Sequence, residues 1–166
     1  MSGMRIARCA CGQVELEAKG APIASVVCYC DDCQEGSRRI EALPKAHPIR
    51  DAAGGTPYLH FRKDRVRVGK GADRLQDMRL KPNCSTRRVV TTCCDAPLFL
   101  DWEKGHWFSV YRAPFGADAP AVEMRMEAKF SPNPDAIPKD APVHKRIPLR
   151  LVGRLLKARV AMMLGR

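Results

Sequence analysis

The sequence predicts a mainly β domain with a short helix after its middle cysteine motif and an amphipathic helix over residues 148–166. Three observations predict it. Residues 51–111 read as short apolar alternations separated by Gly, Pro and Asn, the pattern of many short strands. Seven of the eight cysteines fall into three clusters, Cys9-x-Cys11, Cys28-x-Cys30-x-x-Cys33 and Cys93-Cys94, an arrangement suited to shared metal ligands. Residues 148–166 space Leu151, Leu155, Leu156, Met162 and Met163 at helical intervals.

The elements follow in order. Residues 13–19 set Val14, Leu16 and Ala18 against Gln13, Glu15, Glu17 and Lys19, a half-buried strand beginning just after the turn at Cys11-Gly12. A second strand over 25–29 delivers Cys28 and Cys30. Asp31 and Asp32 then start a helix, because carboxylates cap free amides and suit the positive end of the helix dipole, and Cys33 falls in its first turn. Strands are expected over 58–61, 65–68, 75–80, 86–92, 97–100 and 106–111, with a last one over 122–130. Gly69-Lys70-Gly71 reads as a hairpin turn. Residues 131–148 hold five prolines and no periodicity, an extended connection. The expected organisation is a metal-binding domain over 1–130, a proline-rich connection over 131–147 and a basic helix over 148–166. No internal repeat is visible.

With 166 residues the chain is long enough to bury a core and small enough to gain from a metal staple. Its formal net charge of +11 implies attraction to anions: nucleic acid, an acidic lipid surface or a small acidic substrate. After Asp140 there are seven basic residues and no acidic one. Arg150, Arg154 and Lys157 share one face of the final helix, a pattern that suits docking on the domain, on a partner or on a membrane surface. No run is long and apolar enough to span a membrane. Residues 1–8 hold Arg5, Arg8 and no apolar core of a signal peptide, so the expected location is the cytoplasm, where clustered cysteines serve as metal ligands or reactive thiols rather than disulfides. Asn83-Cys84-Ser85 is then a chance match to a glycosylation site.

Thiolates bind zinc at about 2.3 Å, four for a structural site or three with an open position for chemistry. Cys9 and Cys11 grip one ion from a tight turn, and Cys93 and Cys94 complete the set. Because adjacent cysteines on one ion form a strained ring, Cys84 is the alternative to Cys93. Cys28, Cys30 and Cys33 supply three thiolates within six residues, and no fourth cysteine or histidine lies nearby. That is an open site.

The runs Cys9-Ala10-Cys11-Gly12-Gln13-Val14, Cys28-Tyr29-Cys30-Asp31-Asp32-Cys33-Gln34 and Cys94-Asp95-Ala96-Pro97-Leu98 resemble the three motifs of the glutathione-dependent formaldehyde-activating enzyme and centromere protein V family. The resemblance covers roughly the first 100 residues. It implies a β-tent type fold, a structural zinc on the first and third motifs, and a second zinc on Cys28, Cys30 and Cys33 associated with glutathione and carbon–sulfur lyase chemistry. The chain departs from the pattern twice. The third motif usually reads Cys-x-x-Cys-Gly, whereas this chain has Thr91-Thr92-Cys93-Cys94-Asp95; and Tyr29 stands where many relatives carry histidine.

Two further classes of function compete with an enzyme handling a small thiol or aldehyde. One is a zinc-stabilised nucleic-acid binder, favoured by charge but lacking interleaved basic and aromatic stretches. The other is a partner or membrane adaptor using the last helix. His47, His60, His106 and His144 are scattered and enter no metal site. Trp102, Trp107 and Phe108 are expected in the core.

Overall fold

The computed structural model describes residues 3–166. Its strands are β1 (Met4–Arg8), β2 (Glu15–Lys19), β3 (Ala24–Cys28), β4 (Thr56–Arg62), β5 (Val66–Lys70), β6 (Leu75–Met78), β7 (Thr86–Thr91), β8 (Pro97–Trp102), β9 (Trp107–Tyr111) and β10 (Met124–Met126). Its α-helices are α1 (Asp31–Glu41) and α2 (Leu149–Met163). The mainly β expectation holds. A three-stranded sheet runs β1-β2-β5 and a seven-stranded sheet runs β10-β3-β4-β9-β8-β7-β6. All pairings are antiparallel except β10 beside β3.

The period-2 pattern of each strand divides the interior into two layers. Ala7, Leu16 and Ala18 of the small sheet pack on Leu59, Phe61, Val89, Leu98 and Val110 of the large one. The opposite face of the large sheet, with Val26, Tyr58, Val90, Tyr111 and Met124, takes Ile40 from α1 and Leu151 from α2. Covered on both sides, β3 is buried at every position, which is why its sequence Ala-Ser-Val-Val-Cys does not alternate.

Several expectations need correction. β1 was hidden by its two arginines, which break the apolar alternation, and is a full partner of β2. The strand over 122–130 stops at Met126, because Glu127 takes a left-handed conformation at φ 60° and a 3-10 turn follows. Gly69-Lys70-Gly71 is no hairpin turn, since β5 and β6 lie in different sheets. Gly71 makes that crossing with φ 73°, and a Cβ there would lie 2.4 Å from the Gln13 carbonyl. Asp31 and Asp32 do not cap α1: Cys30 is its N-cap residue, without a side-chain hydrogen bond, and the acids act only on the dipole. Trp102 is 41% exposed instead of buried.

The proline-rich connection is tied down by side chains. Buried Arg125 donates to the Tyr29 hydroxyl at 2.7 Å, to Asp51 at 3.0 Å and to Asp140 at 2.8 Å and 3.1 Å. Ser131 donates to the Ala53 carbonyl at 2.6 Å. The apolar residues of α2, expected on a single face, divide between an inner face with Leu151 and an outer one with Leu149, Leu156 and Val160.

Candidate metal centres

The β1–β2 turn and the β7–β8 turn meet at one end of the two sheets and bring Cys9, Cys11, Cys93 and Cys94 together, with all four sulfurs within 4.8 Å of one another. Their sequence dictates the turns. Gly12, at φ 73°, lets the chain reverse so that the Cys9 amide reaches the Val14 carbonyl at 3.0 Å. Asp95, at φ 54°, does the same at the other turn without being glycine. Its carboxylate accepts from the Lys45 amide at 3.0 Å, and Lys45 Nζ donates to the Cys93 carbonyl at 3.2 Å, so α1's trailing loop holds the turn. Sulfur separations are 3.6 Å for Cys9–Cys11 and 3.9 Å for both Cys9–Cys93 and Cys93–Cys94. A tetrahedron of thiolates about 2.3 Å from zinc has edges of about 3.8 Å, so this set fits the ion.

Thr91 occupies the place of the first cysteine in the Cys-x-x-Cys pattern. Its hydroxyl lies 3.4 Å from Cys94 Sγ and accepts from the Ala96 amide at 3.1 Å. Burial pushes the Cys94 thiol up, but hydrogen bonds from Thr91 and the Cys11 amide outweigh it and bring it down to about 6, which favours a ligand thiolate. Cys93 fills the fourth corner. Cys84 stands outside this group; its thiol donates to the Thr86 carbonyl at 3.0 Å.

The second group, Cys28, Cys30 and Cys33, sits where β3 runs into α1, again with all sulfurs within 4.8 Å. Cys28 ends the buried strand, Cys30 turns the chain at the N-cap, and Cys33 lies in the first helical turn. Hydrogen bonds from the Cys28 and Cys33 thiols draw Cys30 down to about 3, and the Arg88 guanidinium adds to this. Cys28 is pushed well above the ordinary thiol value by Cys30, then by Cys33 and by burial. The Cys28 thiol lowers Cys33, yet Cys30 and burial outweigh it and push Cys33 up to about 12. Three thiols that cannot ionise together without a cation, in a soft donor set, fit zinc.

Sequence reasoning missed the groups around this set. Arg88, on β7, is 1% exposed; its Nη2 donates to the Asp32 carbonyl at 2.6 Å while Nε has no partner among the described residues. The helix makes room for it at Gly36, where a Cβ would lie 2.0 Å from Arg88 Nε. The hydroxyls of Tyr58 and Tyr111 are likewise buried without partners, with ring centroids 4.9 Å apart. The available signal was the pair Arg87-Arg88 within an apolar strand, since alternation forces one of them inward. A pocket of about 290 Å³, lined by Cys33, Arg88, Leu80, Lys81, Cys84 and Leu100 among others, opens beside the set.

None of the four histidines belongs to either group. Among the described residues no helix is long and apolar enough to cross a membrane.

The family model described as glutathione-dependent formaldehyde-activating enzyme matches residues 4–128. Among solved structures, a Rhodobacter sphaeroides protein matches with 18% identity and a TM-score of 0.49, covering 70% of this chain and 96% of that one. No curated protein matches the chain.

Proposed function

Because the chain belongs to the glutathione-dependent formaldehyde-activating enzyme family, we propose that it binds two zinc ions and acts as a carbon–sulfur lyase on the adduct of a small thiol and an aldehyde. Cys9, Cys11, Cys93 and Cys94 hold the structural ion, and Cys28, Cys30 and Cys33 hold the reactive one. One observation carries the reading. The middle group has three thiols, no fourth ligand among the described residues, and a pocket reaching Cys33 and Arg88.

When bound there, zinc supplies a Lewis acid with a position open to a substrate sulfur. The chain's own residues do the rest. Arg88 opposes the negative charge of the cysteines from a buried position, where that interaction is screened little by water. Burial pushes the Tyr58 hydroxyl well above the usual phenol range, and pushes Tyr111 up to about 12, so both stay protonated and remain donors. In the direction of adduct formation the thiol gives up its proton and its sulfur bonds to the carbonyl carbon. The carbonyl π pair moves to oxygen, which takes up a proton; cleavage runs these steps backwards. The Arg88 guanidinium, which lines the pocket, would stabilise that oxygen as its charge develops. Lys81 and Arg88 on the pocket wall favour a thiol that carries carboxylates, the class of glutathione.

The test is zinc per chain by plasma mass spectrometry on protein purified without added metal. Wild type should carry two, and Cys30→Ser one with its fold intact. Proton NMR of formaldehyde with glutathione should then show faster adduct exchange with wild type than with Cys30→Ser. One zinc unaffected by Cys30→Ser would remove the basis of the reading, and equal exchange rates would remove the activity.

A further inference from the structure

A docked helix ordinarily turns its apolar face inward and its charges outward, and α2 departs from this. Its inner side is fixed to the domain. Leu151 is buried, Arg154 pairs with Glu123 and donates to the Ile23 carbonyl at 3.3 Å, and His106 Nε2 lies 2.7 Å from the Leu155 carbonyl. The outer side is apolar as well: Leu149 is 86% exposed, Leu156 59%, Val160 56% and Met163 79%, with Val152 between them at 39%. Steps of three, four, four and three place these five in one stripe along the helix. Arg150 and Lys157 flank the stripe on one side and Arg159 on the other, and none of the three has an ion pair among the described residues. Trp102, also exposed, stands across a groove of about 410 Å³ that Val152, Leu156 and Arg159 help to line.

We propose that this outer face of α2 lies flat on an anionic lipid surface. The stripe enters the boundary between headgroups and acyl chains, the flanking Arg and Lys meet the phosphates, and Trp102 sits at headgroup depth, where tryptophan is favoured. At about 1.5 Å per residue the 15-residue helix is about 22 Å long, short of the ~30 Å hydrocarbon layer, so it lies in the plane. Charge selects an anionic lipid surface over a second copy of the chain. Residues 141–166 have seven basic residues and no acidic one. Two copies packed stripe to stripe would bring like charges together at the flanks, where helix pairs normally place opposite ones.

The test uses the full-length purified protein and vesicles of phosphatidylcholine alone or with about one third phosphatidylglycerol, read by co-sedimentation. Each basic residue near an anionic surface is worth about fivefold in partitioning. The expected result is at least tenfold tighter binding to the anionic vesicles, weakened several-fold by 0.5 M salt. Leu156→Glu with Val160→Glu should cost more than tenfold while leaving zinc content and melting temperature unchanged, because both side chains are exposed. Lys157→Glu with Arg159→Glu should abolish the preference for anionic lipid, and Trp102→Phe should remove a blue shift in emission seen on binding. Equal binding to both vesicles, no binding, or anionic binding indifferent to the two glutamates would overturn the proposal. So would a dimer by light scattering that those glutamates dissociate, since the stripe would then belong to a second copy.

Discussion

At the scale of single residues, a glycine and an arginine together shape the surroundings of the three-cysteine set. Arg88 fits beneath α1 only because Gly36 has no side chain, so Gly36→Ala should force the guanidinium out of place. The expected cost is ~2–3 kcal/mol by urea denaturation, with weaker zinc binding at the three-cysteine set and no change at the four-cysteine set. His60 gives a separate signature. Burial lowers it to about 4 from an ordinary 6.5, so the unfolded chain binds the proton first as the pH falls. Stability should therefore be unaffected by this group above pH 6.5 and fall between pH 6.5 and 4 by up to ~3 kcal/mol. His60→Leu should flatten that part of a plot of unfolding free energy against pH.

Elements rest on residues of this kind. Arg125→Ala would leave Tyr29, Asp51 and Asp140 without their shared donor and free the proline-rich connection. A loss of ~3 kcal/mol is expected, with faster proteolysis between residues 131 and 148. The connection shows what could be read in the sequence. Five prolines argued against α-helix and long strand, and the stretch holds no helix beyond a 3-10 turn at Pro134–Ala136, but the anchoring through Arg125 joins positions far apart in the chain and leaves no periodic trace. The short strands from β4 to β9 were legible because alternation is local. β1 was not, since two of its five residues are arginines, and neither was the end of β10, where Glu127 adopts a backbone conformation its residue type disfavours. Of the middle site, the three cysteines were visible in their spacing, whereas Arg88 and the two tyrosines arrive from three other strands.

For the whole molecule, the four-cysteine site ties the small sheet to the large one, and the middle site ties a strand only to the helix that follows it. The two should differ in their effect on stability. Cys94→Ser should lower the melting temperature by more than 10 °C and leave a loosened small sheet in hydrogen exchange, whereas Cys30→Ser should shift it by only a few degrees. Thermal unfolding by circular dichroism with parallel zinc analysis would check both.

The spacing of the same ligands also sets an order of events in time. Cys28, Cys30 and Cys33 can close on an ion as soon as one short stretch of chain is free, since almost no loop entropy opposes them. Cys9 and Cys11 must wait until Cys93 and Cys94 have been brought back across most of the domain. A refolding chain supplied with zinc would thus fill the three-cysteine set before the architecture around it exists, and would lock that architecture only when the four-cysteine set closes.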